Sequence, residues 1–236
     1  MDKFHTMSKG NIVITIDGPA GAGKSTITQG LSEALGLDCL DTGAMYRVVA
    51  WALKETNNEG LSGEALTLFL KGLDFVIAGN GVNQKVWLGG KEISREIRTP
   101  EISQSASAIS IKPEVRAVLM EKQRGFRRQG GLIAEGRDMG TVVFPGADFK
   151  FFLDASLDVR AQRRAEELLR NGQSVSLAEV KKDIEERDKQ DQERTLSPLR
   201  PAKDALIIDT SNLSTHEVIQ SILSVILNKT SAGINP

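Results

Sequence analysis

The chain has little of what most catalytic and structural centres are built from. It holds one cysteine and two histidines. Cys39 alone cannot close an intrachain disulfide, and it fits a reducing compartment. No group of cysteines and histidines stands at metal-ligand spacing, so a structural zinc site has no support. His5 falls in a stretch without periodicity and His216 near a predicted helix start, and neither has a partner nearby in sequence. No acid–base role falls to either. No apolar run approaches membrane-spanning length. Residues 1–11 carry charges but no apolar segment, so no secretory leader is expected in them. An excess of one charge is missing too. The 30 basic and 31 acidic side chains leave a net charge of -1, which offers no footprint for a nucleic-acid polymer or a lipid surface. Aromatics are sparse, with one tyrosine and two tryptophans. Trp51 and Trp87 read as packing residues rather than platforms for a base.

What the chain does have is length and pattern. At 236 residues it is one generous domain or a core with insertions, able to bury a full α/β core. The domain is expected over residues 11–230, after a loose extension (1–10, with Met7 an alternative start) and before a fraying tail (231–236). Its clearest stretch is Ile12–Thr26, a β-branched run, a glycine loop and a helix start. Gly18, Gly23, Lys24 and Ser25 satisfy G-x-x-x-x-G-K-[ST]. Such a loop, here Gly18, Pro19, Ala20, Gly21, Ala22 and Gly23, turns successive backbone N–H groups towards a phosphate. Glycines permit the dihedrals and the close approach, and the helix adds its positive N-terminal end. Lys24 is placed to reach β and γ oxygens, and the Ser25 hydroxyl to ligate Mg²⁺. The pattern predicts nucleotide binding.

Periodicity and turn residues organise the rest. A strand at 11–17 and a helix to Leu35, stopped by Gly36, precede a strand at 37–40 and a helix over 43–56 capped by Asp41-Thr42. Residues 61–128 look different. They read as a short helix at 62–71, short strands at 74–77, 82–88 and 92–93, and helices opened by Thr99-Pro100 and by Pro113, the last reaching Arg128. Strands return at 132–134, 149–154 and 205–209. Helices run from Ser156 to Arg170, from the capping box Ser176–Glu179 to Arg194, and onward from the box Ser214–Glu217. Five short apolar strands separated mostly by helices predict an α/β fold: a five-stranded parallel sheet covered on both faces. Ligands then belong at the carboxyl ends of the strands.

Three clusters fall in the regions such a site would use. Asp41–Arg47 follows the second strand, where Arg47 is placed to fork onto a phosphate and Tyr46 to pack or to bond a sugar; the alternative is a capped helix with a surface arginine. Glu135-Gly-Arg-Asp138 puts an acid and an arginine at a strand end, facing Mg²⁺, phosphate or a base edge; the alternative is a salt-bridged turn. The charge run 181–194 reads either as a solvated face or as a working one, since Arg187, Asp191 and Arg194 recur on one helix face. Arg160, Arg163 and Arg164 add guanidinium groups on the preceding helix. Two charged helices joined by Asn171-Gly172 would form a flap that brings arginines onto phosphates and excludes water.

At these residues the chain resembles the bacterial cytidylate kinases of the P-loop nucleoside monophosphate kinase superfamily. The matching strings are Ile16–Ser25, Asp41–Arg47, Ile97-Arg-Thr99, Ala134–Pro145, Phe152–Ser156 and Glu186-Arg-Asp188, within a likeness running from about residue 11 to 230. The glycine loop is generic; Gly136–Pro145 is specific. The resemblance implies a core (11–41, 129–156, 200–230), a monophosphate-binding insertion (42–128) with a small antiparallel sheet, and a helical lid (157–199). It implies transfer of the ATP γ-phosphoryl to CMP or dCMP with Mg²⁺; a cytoplasmic monomer with no nucleic-acid polymer or membrane partner is expected. Arg47, Arg137 and Arg194 would hold the acceptor phosphate; Tyr46, Arg187 and Asp191 would lie by the ribose; Thr42, Ser107, Arg116 and Asp138 would read the cytosine. Arg163 would stand in the lid near ATP, beside the loop residues Gly18 to Thr26. Lys24, Arg137, Arg187 and Arg194 are the expected catalytic set.

The chain departs from the usual family pattern twice. Thr42 stands where many relatives have serine, keeping the hydroxyl and adding a methyl. Ser25 stands where many have glycine, restoring the usual Mg²⁺ ligand, with Thr26 offering a second hydroxyl. The chemistry expected is in-line attack by an acceptor phosphate oxygen, which needs positioning and charge neutralisation rather than a strong base. Two other readings stay open: a P-loop kinase with a different small acceptor, and a non-catalytic nucleotide switch or ATPase module.

Overall fold

The computed structural model describes residues 12–79, 84–129, 131–170 and 172–231. In chain order its strands are β1 (Val13–Asp17), β2 (Asp38–Asp41), β3 (Phe75–Ala78), β4 (Lys85–Leu88), β5 (Lys91–Glu92), β6 (Leu132–Gly136), β7 (Phe149–Asp154) and β8 (Leu206–Asp209). Its α-helices are α1 (Lys24–Leu35), α2 (Thr42–Glu55), α3 (Gly63–Lys71), α4 (Pro100–Ile109), α5 (Pro113–Gly125), α6 (Leu157–Arg170), α7 (Leu177–Glu193) and α8 (Thr215–Ser231).

The five parallel strands lie in the order β2-β6-β1-β7-β8. β1 and β6 are buried at every position, as strands flanked on both sides and covered on both faces must be. Alternation then sorts the core. Val13, Leu132, Ala134 and Leu40 pack with Met45, Val49 and Leu53 of α2 and with Leu119 of α5. Ile14, Ile16, Phe151 and Leu153 pack on the other side with Ile27 and Leu31 of α1 and with Val218, Ile222 and Ile226 of α8. Each of the larger side chains among them contributes about 1.5–3 kcal/mol by leaving water. Register aligns the strand ends: Asp17 pairs with Gly136, and Asp41 with Glu135. The carboxyl ends of β2, β6 and β1 therefore finish on one edge, where the connections diverge and leave a crevice.

Local signals explain the punctuation. Gly36 ends α1 in the left-handed region at φ 65 and returns its N–H to Ser32 O at 2.8 Å. Asp41 caps α2 by accepting the Ala44 N–H at 3.0 Å. Thr99 caps α4, with Pro100 in its first turn. Ser214 and Glu217 cap α8 reciprocally.

A second sheet, β3-β4-β5, is antiparallel and three-stranded. It closes a smaller core in which Val86, Ile93 and Ile97 meet Ala44 and Val48 of α2 and Ile102 and Ala106 of α4. The hairpin α6–α7 buries only Ala161, Ala165, Leu168, Val180 and Ile184 between its own helices.

Several boundaries differ from the sequence expectation. The last short strand is Lys91–Glu92 rather than 92–93, and residues 82 and 83 of the preceding one lie outside the described residues. The expected extension and most of the tail lie outside them too, as does Asn171. α5 stops at Gly125 and tightens into a narrower turn over Phe126–Gln129. α7 stops at Glu193, because Arg194 adopts extended backbone at ψ 136. Helix periodicity therefore does not place Arg194.

Candidate active site

The glycine-loop half of the site is made of backbone. At Gly18, with φ 152, an added Cβ would lie 2.1 Å from Leu153 O. At Gly21, with φ 76, it would lie 2.9 Å from Arg160 O. Only glycine fits where the loop presses on β7 and α6. Gly23 precedes α1 at φ 84 and offers no side-chain cap, so the first amides of α1, from Lys24 through Ser25 and Thr26, face an incoming anion. Lys24 is buried and donates to Pro19 O at 2.7 Å. Burial, with Arg137 and Arg187 nearby, pushes its ammonium well below the usual lysine range. Ser25 is exposed and donates to Glu135 Oε2 at 3.0 Å. Burial, reinforced by Asp41, pushes the Glu135 carboxyl up. Asp17 fixes the turn after β6 by accepting the Met139 and Gly140 N–H groups at 2.8 Å each, and burial raises its pKa to about 6.

The other half of the site is made of side chains. One cleft is lined by Thr42, Tyr46, Arg47, Ser107, Arg116, Arg137, Asp138, Arg187, Asp191 and Arg194, all ten residues that the resemblance assigned to the acceptor. They come from α2, α4, α5, the end of β6, α7 and the residue after it. Thr42 donates to Glu135 O at 2.7 Å, which seats α2 against β6. Arg47 reaches back to Asp41 at 2.8 Å, and a side chain at Gly43 would crowd both. Arg116 pairs with Asp138. Arg137 Nε donates to Asp191 Oδ2 at 2.8 Å, and Arg194 holds Oδ1 of the same carboxylate at 3.3 Å and Ser197 O at 2.7 Å.

Charge is unbalanced here, with five arginines lining the cleft against two aspartates. Burial alone would raise the Asp191 carboxyl, but Arg137, Arg187 and Arg194 outweigh it and hold it below the usual range. Burial, with Arg137 beside it, lowers the Arg187 guanidinium to about 10, and burial raises the Tyr46 phenol to about 12. Arg47 Nε, Arg187 Nε and Arg194 Nη2 are buried without a hydrogen-bond partner among the described residues. Buried donors are ordinarily satisfied. Three on cleft-lining arginines suit a phosphate, which offers several charged acceptors at once.

Two arginines of α6 lie outside this cleft, and Arg163 lies by the donor loop, where the resemblance set it. Arg163 donates to Thr210 Oγ1 at 3.0 Å and to Thr210 O at 2.7 Å. Its Nη1 would be 3.9 Å from a Cβ on Gly23, so it borders the donor loop rather than the cleft. Arg160, read above as one more phosphate-directed guanidinium, is already committed to Asp188, Ala155 O and Ala20 O. Sequence reasoning missed Gln190, which holds Ser107 from α7 by donating to its carbonyl at 2.9 Å and accepting from its hydroxyl at 3.3 Å. Its spacing of three from Arg187 on one helix was the available signal.

The family model described as cytidylate kinase matches residues 14–228. The cytidylate kinase of Methylococcus capsulatus is 47% identical over 214 residues, covering 91% of this chain and 96% of that protein. The cytidylate kinase of Pasteurella multocida is 45% identical over 215 residues, covering 91% and 95%. Among solved structures, a gluconokinase from Sinorhizobium meliloti superposes with a TM-score of 0.51 at 13% identity, covering 95% of this chain and 98% of that one, a likeness of fold alone. A family match over residues 14–228 and relatives at 45–47% identity place this chain in the cytidylate kinase family.

Proposed function

We propose that this chain transfers the γ-phosphoryl group of ATP to CMP or dCMP, giving ADP and CDP or dCDP, in pyrimidine nucleotide metabolism. The observation that carries the reading is the cleft in which unpartnered guanidinium donors stand with the Asp138–Arg116 pair, on the strand edge that carries the glycine loop. In this reading the loop Gly18–Gly23 and the first turn of α1 hold the triphosphate, with Lys24 at its β and γ oxygens. Arg47, Arg137 and Arg194 hold the acceptor phosphate; Tyr46, Arg187 and Asp191 border the ribose; Thr42, Ser107, Arg116 and Asp138 read the base. Residues 42–128 form the acceptor-binding insertion, and 157–199 the lid. Mg²⁺ suits the exposed Ser25 hydroxyl beside the Glu135 carboxylate, two hard oxygen donors 3.0 Å apart. Those residues would hold it, and when bound it supplies positive charge to the triphosphate oxygens.

The chain's own part is positioning. A phosphate dianion is already a nucleophile, so no side chain need remove a proton. The arginines turn the acceptor oxygen towards the γ-phosphorus, offset the charge repulsion, and with α7 closed keep water from competing. The setting is expected to be the cytoplasm, with the protein a monomer. Among the described residues no helix is long and apolar enough to cross a membrane.

An ADP-release assay with ATP-Mg²⁺ and CMP, dCMP, UMP, AMP or GMP tests this. Release stimulated most strongly by CMP or dCMP is the expected outcome. Faster turnover of another monophosphate would reassign the acceptor, and acceptor-independent ADP release would point to an ATPase.

A further inference from the structure

One buried ion pair belongs neither to the acceptor cleft nor to the apolar core. Arg160 of α6 and Asp188 of α7 are each 7% exposed and pair with one another. Between them they take both polar groups of Ala20, a residue of the phosphate loop. Asp188 Oδ1 accepts the Ala20 N–H at 3.3 Å. Arg160 Nη1 donates to Ala20 O at 3.1 Å, while its Nε donates to Ala155 O, just past β7, at 2.9 Å. The next loop residue, Gly21, lies directly on Arg160, where a Cβ would come within 3.0 Å of the Arg160 Cβ.

Such a pair is poor value as a source of stability, because desolvation offsets most of the attraction. Its geometry says more. α7 carries Arg187 one position before Asp188 and Asp191 three positions after it, and both line the acceptor cleft. The hairpin's own apolar core is small, so polar contacts such as this one set where α7 lies against the loop. We propose that Asp188 and Arg160 are positioning residues for phosphoryl transfer: they tie Ala20 of the loop to α7 and α6, so that with α7 closed the donor cradle and the acceptor-facing arginines keep one fixed separation. This rests on the kinase reading above. Freed from Ala20, α7 would carry Arg187 and Asp191 out of line with the γ-phosphoryl group, and a misplacement of about 1 Å can cost about 100-fold in rate.

Asp188→Ala and Arg160→Met, alone and together, test it through kcat, the KM for each substrate and the melting temperature. Each single change is expected to lower kcat about 10- to 100-fold with the CMP KM within about threefold of wild type. The double variant should be no slower than the worse single one, since the two paired side chains hold Ala20 as one unit. Asp188→Asn keeps an oxygen for the Ala20 N–H while weakening the Arg160 pairing, and should recover part of the lost kcat. Should the alanine variant fail to fold, Asp188→Asn and Arg160→Lys carry the same test, with a loss of about fivefold or more expected. Wild-type kcat in soluble single variants, with only the melting temperature lowered, overturns the proposal. So do losses that multiply in the double variant. Absent CMP turnover by the wild-type protein would instead count against the kinase reading.

Discussion

The two halves of the site are built by opposite means. The donor loop is nine consecutive residues, Gly18–Thr26, and its grip comes from backbone amides exposed by tight glycines. The acceptor cleft gathers side chains from position 42 to position 194. Its arginines are largely held by carboxylates: Arg47 by Asp41, Arg116 by Asp138, Arg137 and Arg194 by Asp191. Amides bind phosphate of any origin, so the donor half is generic. Side chains from four helices and from the segments just after β6 and α7 specify shape, charge and hydrogen-bond polarity together, so in the proposed reading the choice of acceptor belongs there. The carboxylates also pre-orient the guanidinium groups, which lowers the ordering cost when an acceptor phosphate arrives.

If the donor half depends on one side chain, that side chain is Lys24. Lys24→Ala is expected to lower kcat by about 10³-fold or more, since it removes the cation at the transferring group. The fold should survive, as the hydrogen bond that the Nζ makes among the described residues goes to Pro19 O within its own loop. Stopped-time assays of ADP release, with circular dichroism as control, measure it; near-normal turnover would mean that backbone amides suffice. On the acceptor side no single arginine should matter as much, because several share the phosphate. Arg194→Ala is expected to cost about 100-fold in kcat. A loss confined to the melting temperature would make Arg194 a strut between Asp191 and Ser197, and remove it from the phosphate clamp.

The same contrast governs what could be read before the structure. The donor loop is local, so its motif, its strand and its helix were legible together. The five parallel strands were legible as apolar runs, yet their order was not, because β6 enters between β2 and β1 through pairing across more than ninety positions. The acceptor residues were legible through family likeness. Taken alone, the charge run 181–194 suited a solvated face equally well. Pairing was the hidden part. Nothing in sequence spacing indicates that Arg160 turns to Asp188 and Ala20 rather than to a substrate, or that Arg194 leaves the helix and still returns to Asp191. Such choices depend on which carboxylate the fold brings within reach.

The smallest expected effect is the most specific to the acceptor half. Asp138 is buried, at 4% exposure, and its carboxylate pairs directly with Arg116 in the cleft. Cytosine presents an N4 amino donor where uracil presents an acceptor carbonyl, so a carboxylate favours the first and repels the second. Asp138→Asn keeps the shape but adds an amide donor that can serve either base. The kcat/KM ratio of CMP to UMP should fall about tenfold, within the 1–3 kcal/mol that one well-placed pair contributes to discrimination. The gain should appear on the UMP side as well as the loss on the CMP side. A parallel fall for both nucleotides would mean that Asp138 serves only to hold Arg116, and that base choice lies with Ser107 and Thr42.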